Sequence, residues 1–166
     1  MGQDIKNKML EFLYENPRKE FTVREIAKLT RFPRATTHTY INRLKEQGLI
    51  DKENIAATNK IFKIKKINYY SEKITTSGLI DYLIEKLNPS CIILFGSIRK
   101  GDSTKESDID LFVESSVKNE LDLEGYEKKL GHKIQLFVES NINKLNETLF
   151  NNVVNGIKLY GSFKIK

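Results

Sequence analysis

Eight residues, DIDLFVES at 108–115, return twenty-five positions later as KIQLFVES at 133–140. In both, Ile, Leu and Val alternate with residues of the opposite face, the period of a β-strand. Seventeen residues lie between Glu114 and His132 and include a helical stretch at 120–130. A crossover of that length sets two strands parallel, so this pair restricts the chain to an α/β architecture. A single short echo is weak evidence for duplication, and the likeness reads as shared environment. The differences carry the chemistry: Asp108 faces Lys133 in the comparison, and Asp110 faces Gln135. One strand holds a pair of carboxylates and its echo holds neither.

Asp108 and Asp110, two apart in a strand, project to the same side with Cα atoms roughly 6.5 Å apart. Two like charges at that spacing repel unless a cation sits between them. Upstream, a helix at 79–87 exposes Asp81, Glu85 and Lys86, buries Leu79, Tyr82, Leu83 and Leu87, and stops at Asn88-Pro89. An apolar strand at 91–95, CIILF, then runs into Gly96-Ser97. The lone Cys91 excludes an internal disulfide and reads as a small core residue. No G-x-x-x-x-G-K-[ST] occurs, so the chain has no P-loop.

LFGSIRKGDSTKESDIDLFVE resembles the pattern of the DNA polymerase β-like nucleotidyltransferases, in particular the minimal nucleotidyltransferases: an apolar strand, Gly-Ser, ten residues, then Asp-x-Asp between apolar residues. The resemblance spans about 78–161, and GIKLYG looks like the family's last strand. It implies catalytic and metal-holding roles for Asp108 and Asp110, with Gly96, Ser97, Arg99 and Lys100 against the nucleotide: Gly96 has no Cβ to keep a phosphate away, Ser97 offers a hydroxyl and an N–H, and the short helix starting there turns its positive end toward an anion. Arg99, Lys100 and Lys105 are near enough in sequence to assist with phosphates, and read equally well as solvated loop charges. The cofactor would be Mg²⁺ or Mn²⁺ and the donor a nucleoside triphosphate, ATP above all, giving up its NMP to a hydroxyl. Catalytic members carry a third carboxylate on the neighbouring strand, where this chain has Gln135. Glu114 and Glu139 stand four residues beyond the metal-facing positions, about 13 Å along their strands. His132 is a candidate base, although a His at a strand edge reads first as a surface residue.

The first 66 residues carry 15 Lys or Arg against 8 Asp or Glu, or +7, whereas the remaining hundred carry 13 against 14. A localised positive field is the footprint of a nucleic-acid binder. Ile5, Met9, Phe12 and Leu13 fall at helical spacing before Asn16-Pro17. Thr22 with Glu25 makes a capping box for a second helix burying Ile26, Ala27 and Leu29. A third helix follows Phe32-Pro33, buries Thr37, Tyr40, Ile41 and Leu44, and is closed by Gly48. Its other face holds Arg34, Thr36, His38, Thr39, Asn42, Arg43 and Lys45. After Gly48 the segment LIDKENIAATNKIFKIKK at 49–66 alternates in its second half, which predicts a short hairpin with a basic tip presenting Lys63 and Lys65.

FTVREIAKLTRFPRATTHTYINRLKEQGLI, with the basic ribbon after it, resembles the winged helix-turn-helix family over about 3–66. The resemblance implies a recognition helix in the major groove of DNA, backbone contacts from the wing, and a homodimer on a palindromic site. The expected fold is thus α/β (α+β): a winged helix-turn-helix domain at 1–66, a linker at 67–78, and a nucleotidyltransferase mixed sheet with flanking helices at 79–166. No apolar run of membrane-spanning length and no signal peptide occur, so a cytoplasmic chain with no membrane partner is expected. Two functions fit: a nucleotidyltransferase acting antitoxin-like on a partner toxin, or a transcription regulator whose second domain senses nucleotide without turnover.

Overall fold

A computed structural model describes residues 2–165, with side chains described from Lys6 onward, so Ile5 lies outside the described side chains. The chain divides into two compact units, Met1–Lys65 and Lys66–Lys166.

The first unit is built from α1 (Gly2–Glu15), α2 (Val23–Thr30) and α3 (Arg34–Glu46). Asn16 closes α1 by giving both its N–H and its side-chain amide to the Phe12 carbonyl, at 3.1 and 3.0 Å, just ahead of Pro17. The capping box forms at α2, where Thr22 Oγ1 accepts from Glu25 N at 3.2 Å and Glu25 Oε2 accepts from Thr22 N at 2.9 Å. Ile26, Ala27 and Thr30 are buried. Leu29 is not: it is 55% exposed, because one step of about 100° before Thr30 turns it off that stripe. On α3, Thr37, Ile41 and Leu44 are buried and Tyr40 is half-buried. Gly48, at φ +65°, ends the helix as expected.

The wing is where the structure departs most from the sequence reading. A single bridge joins Ile50 to Ala56, around a turn in which Asp51 Oδ1 accepts from Ile55 N at 2.8 Å. The second half of the hairpin expected at 49–66, the alternating residues 61–66, forms no strand. Those residues begin α4 (Lys60–Thr76), a helix that also consumes most of the expected linker at 67–78 and crosses the boundary between the two units. Two causes are local. Asn59 Oδ1 accepts from Phe62 N at 2.9 Å and caps the helix start, while nothing between Ile61 and Lys66 supplies a turn. Phe62, Lys66, Tyr70 and Ile74 then form a buried stripe at i, i+4, i+8 and i+12, which six residues of alternation do not reveal.

In the second unit, α5 (Leu79–Leu87) precedes β1 (Cys91–Phe95), α6 (Gly96–Lys100), β2 (Ile109–Glu114), α7 (Glu124–Leu130), β3 (Ile134–Glu139), α8 (Glu147–Val154) and β4 (Ile157–Gly161). Leu79, Ile80, Leu83 and Leu87 are the buried residues of α5, with Tyr82 half-buried. The expected helix at 120–130 is shorter than predicted, starting at Glu124. The sheet order is β3-β2-β1-β4, with β1 antiparallel to both neighbours and β2 parallel to β3. The echoed strands therefore lie side by side. Their register sets Ile109 against Ile134, Asp110 against Gln135 and Leu111 against Leu136, each copy of the motif opposite its counterpart. Cys91, Ile93, Phe95 and Phe112 pack with Ile142 and Val153 on one face, and Ile92 and Leu94 are buried as well, so β1 is covered on both sides. Burial pushes the Cys91 thiol up to about 11, as suits a core residue.

Candidate functional site

Where β1 ends, Phe95 pairs with Asp110 of β2, which brings the Gly96-Ser97 bend against that carboxylate. Gly96 has φ +71°, and a Cβ on it would lie 1.8 Å from Asp110 Oδ2. Only glycine allows this approach, for both conformational and steric reasons. The bend and the carboxylate are joined further by the Ser97 backbone N–H, which bonds to Asp110 and favours its ionised form. Burial outweighs that bond, and the neighbouring charge of Asp108 adds to it, so the Asp110 carboxyl is held above its ordinary value of 3.8. Asp108 is exposed immediately ahead of β2, and Ile109, fully buried, separates the two acids so that both face the same side.

The remaining expected phosphate groups are near in chain but uneven in setting: Arg99 is half-buried and Lys100 exposed, both in the last turn of α6. Lys105 is exposed and, with Glu106, Glu127 and His132, lines a cavity of about 410 Å³ that opens beside Asp108.

Gln135, which stands where the resemblance implies a third acid, is exposed and in register beside Asp110. Among the described residues no three His, Cys, Asp or Glu side chains come together as a metal cage. Glu114 is committed elsewhere: it is 7% exposed and accepts from Ser90 Oγ at 2.6 Å and from Ile142 N at 2.9 Å. Glu139 accepts from the Ser140 N–H and hydroxyl, which hold its carboxyl below the ordinary range. His132, expected at the surface, is only 5% exposed, because Tyr70 of α4 packs its ring edge-on against the imidazole at a centroid distance of 5.3 Å.

On the first unit, α3 presents Arg34, His38, Thr39, Asn42 and Arg43 to solvent, with Thr36 and Lys45 half-buried. Thr39 Oγ1 donates to Ala35 O at 3.1 Å, so part of its hydrogen-bonding capacity turns back into the helix. Arg43 lies over the Tyr40 ring, 5.3 Å from its centroid, and Lys45 Nζ donates to Lys52 O at 2.8 Å. Lys63 and Lys65 are not wing residues, since both sit on α4. The short wing turn instead carries Lys52, in the first half of the 49–66 segment, where nothing alternates.

A strand-turn-helix cradle beside paired acids on an antiparallel neighbour, with a three-helix basic unit ahead of it, defines a nucleotidyltransferase-fold domain joined to a winged helix. Residues 77–165, more than half of the chain, match the family model for polymerase beta nucleotidyltransferases, and the chain belongs to that family. Residues 9–57 match the MarR family, whose winged helix the first unit is similar to. No curated protein and no solved structure matches the chain. No helix among the described residues is long and apolar enough to cross a membrane.

Proposed function

We propose that the protein is a divalent-cation-dependent nucleotidyltransferase that moves AMP from ATP onto a hydroxyl acceptor. The carrying observation is the contact of the Gly96-Ser97 bend with Asp110, beside Asp108. The residues fit a hard cation: two carboxylates share one side, and the charge of Asp108 adds to the cost of ionising Asp110. Mg²⁺ or Mn²⁺ is held by one or two carboxylates, with water and substrate phosphates completing its shell, so a pair is sufficient. Asp108 and Asp110 would hold the ion, whose chemistry is to neutralise charge on the phosphates during in-line displacement.

The chain's own groups do the rest. Gly96 lets the Asp110 carboxylate close against the bend, the Ser97 hydroxyl would meet the polyphosphate oxygens, and Arg99 and Lys100 would offset the charge of the leaving end. The acceptor oxygen bonds to the α-phosphorus as the bond to pyrophosphate breaks, and pyrophosphate leaves with the electron pair. The acceptor proton has no carboxylate to receive it, because Gln135 is neutral; solvent or the acceptor must take it. Lack of a positioned base typically costs about 10² to 10⁴ in rate. A protein acceptor such as a partner toxin, with a DNA-binding unit on the same chain, describes an antitoxin-like modifier that acts on its own operator. The face of α3 and Lys52 would meet that DNA, and a homodimer would match a palindromic site. Labelled ATP with Mg²⁺ and candidate acceptors should give transfer that is lost in Asp108→Asn. If no acceptor is labelled, the enzymatic reading is wrong.

Gln135 favours a second reading, in which the domain binds nucleotide and reports it to the DNA-binding unit without turnover. ATP with Mg²⁺ should then change operator affinity and be recovered intact. Equal operator affinity with and without nucleotide removes this version.

A further inference from the structure

The loop at 101–108 has to deliver Asp108, and it is held from beneath by side chains that phosphate transfer does not use. Lys66 and Tyr70 of α4 and His132, just ahead of β3, are 0%, 2% and 5% exposed. Lys66 Nζ donates to the carbonyl of Ser103, itself fully buried in that loop. His132 Nδ1 lies 2.7 Å from the Ser107 carbonyl oxygen, and its Nε2 lies 3.3 Å from the Tyr70 hydroxyl. A carbonyl can only accept, so Nδ1 carries the proton; Nε2 of the neutral ring is then an acceptor, and the Tyr70 O–H donates to it. Donation thus runs from Tyr70 through His132 to Ser107, one peptide bond from Asp108.

The other side of Asp108 is fixed as well, because Ile109 N donates to Lys133 O at 2.8 Å. Consecutive residues 132 and 133 therefore grip the backbone on both flanks of the acid. Within the loop, Ser107 Oγ accepts from Thr104 N at 2.9 Å and Ser107 N donates to Thr104 O at 3.1 Å, which leaves the segment little freedom. Buried polar side chains cost more than apolar ones of the same size unless fully bonded, so three of them under one loop need a reason beyond filling space.

We propose that His132, oriented by Tyr70 and seconded by Lys66, is a positioning residue that sets where Asp108 presents its carboxylate to the cation. The inference rests on the reading of Asp108 as a cation ligand. Partners at one remove from a metal ligand commonly tune metal affinity by about 10- to 100-fold, which sets the scale of the test.

The full chain is titrated with Mn²⁺ in the presence of ATP, and separately with ATP in EDTA, for wild type, Tyr70→Phe, His132→Leu and His132→Asn. Mn²⁺ affinity should fall about 10-fold in His132→Leu. Tyr70→Phe, which removes one oxygen, should lower it about 3-fold. His132→Asn, whose amide can still reach the Ser107 carbonyl, should restore most of the loss. ATP affinity without metal should stay at the wild-type value throughout, a separation that general loosening of the domain would not produce. Wild-type Mn²⁺ affinity in both Tyr70→Phe and His132→Leu, or metal-free ATP affinity falling in step with Mn²⁺ affinity, overturns the inference. Should His132→Leu fail to fold, Tyr70→Phe decides by the same criteria. A wild-type protein that takes up no Mn²⁺ with ATP overturns the nucleotidyl-transfer reading and this inference together; binding in wild type with no effect of either variant overturns the inference alone.

Discussion

Gly96→Ala probes the contact on which the site depends. The alanine would have to hold φ near +71° and place its Cβ 1.8 Å from Asp110 Oδ2, so either the bend or the carboxylate must move. The left-handed conformation costs roughly 1–2 kcal/mol for a residue with a Cβ. Losing the Ser97 N–H bond to the displaced carboxylate adds about 1 kcal/mol. The sum, about 2–3 kcal/mol, lowers the melting temperature of a domain of this size by about 10–20 °C. Gly131→Ala supplies the control for strain alone, because Gly131 has φ +78° with nothing within 4 Å of the added carbon. Thermal unfolding followed by circular dichroism compares the two, and calorimetric titration with Mn²⁺ and ATP measures what the shift of Asp110 does to binding. The expected order is wild type, then Gly131→Ala, then Gly96→Ala, with nucleotide-dependent Mn²⁺ uptake lost in the last. A Gly96→Ala protein as stable as Gly131→Ala and binding like wild type would refute the clamped-bend account.

Three further outcomes follow from the same geometry. Because the Asp110 carboxyl is held above its ordinary value of 3.8, the folded chain keeps a proton that the unfolded chain has released. Its contribution to stability therefore declines as pH rises through the interval above 3.8. Asp110→Asn should flatten that decline and melt higher than wild type near neutral pH, while losing all stabilisation by Mg²⁺; a lower melting point at neutral pH contradicts the raised carboxyl. Gln135→Asp adds a third acid in register beside Asp110, so it should tighten Mn²⁺ binding and raise label transfer while destabilising the metal-free protein. Tighter binding without any gain in transfer would point to nucleotide sensing. For DNA, Arg43→Ala and Lys52→Ala should each weaken operator binding and reduce the salt slope by about 1, and an unchanged slope for both would move the interface off α3 and the wing turn.

The second unit was legible because its signals were redundant. The strand at 91–95 is apolar at every position and bounded by Pro89 and Gly96, and the echo at 109–114 and 134–139 states both strand identity and register. In the first unit, capping chemistry at Thr22 and Gly48 located two helix ends. The wing failed for want of length: Phe62, Ile64 and Lys66 alternate with Ile61, Lys63 and Lys65, but the stripe Phe62–Lys66–Tyr70–Ile74 emerges only over thirteen residues. A lysine as a member of a buried stripe also hides the pattern, since Lys66 is buried for a carbonyl thirty-seven positions away. His132 was misplaced for the same kind of reason: its burial depends on Tyr70, sixty-two positions earlier, and no local pattern encodes that.

The parallel register also decides what the missing acid means. Sliding β3 by one residue to bring another group beside Asp110 would turn every side chain of the strand to the opposite face. Leu136, Phe137 and Val138 are partly covered in the present register, so such a slip would trade apolar contact for nothing gained. Nor can an acid be borrowed, since Glu114 is spent on Ser90 and the Ile142 N–H, and Glu139 on Ser140. At the register position beside Asp110 the acids available to a cation are therefore Asp108 and Asp110. Two acids raise a cation's affinity less than three, so occupancy should depend on the phosphates that arrive with the nucleotide and complete the shell. Cation and nucleotide are then expected to bind with positive coupling, each tightening the other by the same factor. Titrating Mn²⁺ at several fixed ATP concentrations measures that factor; Mn²⁺ bound equally well with no ATP present would show that the pair suffices without the nucleotide.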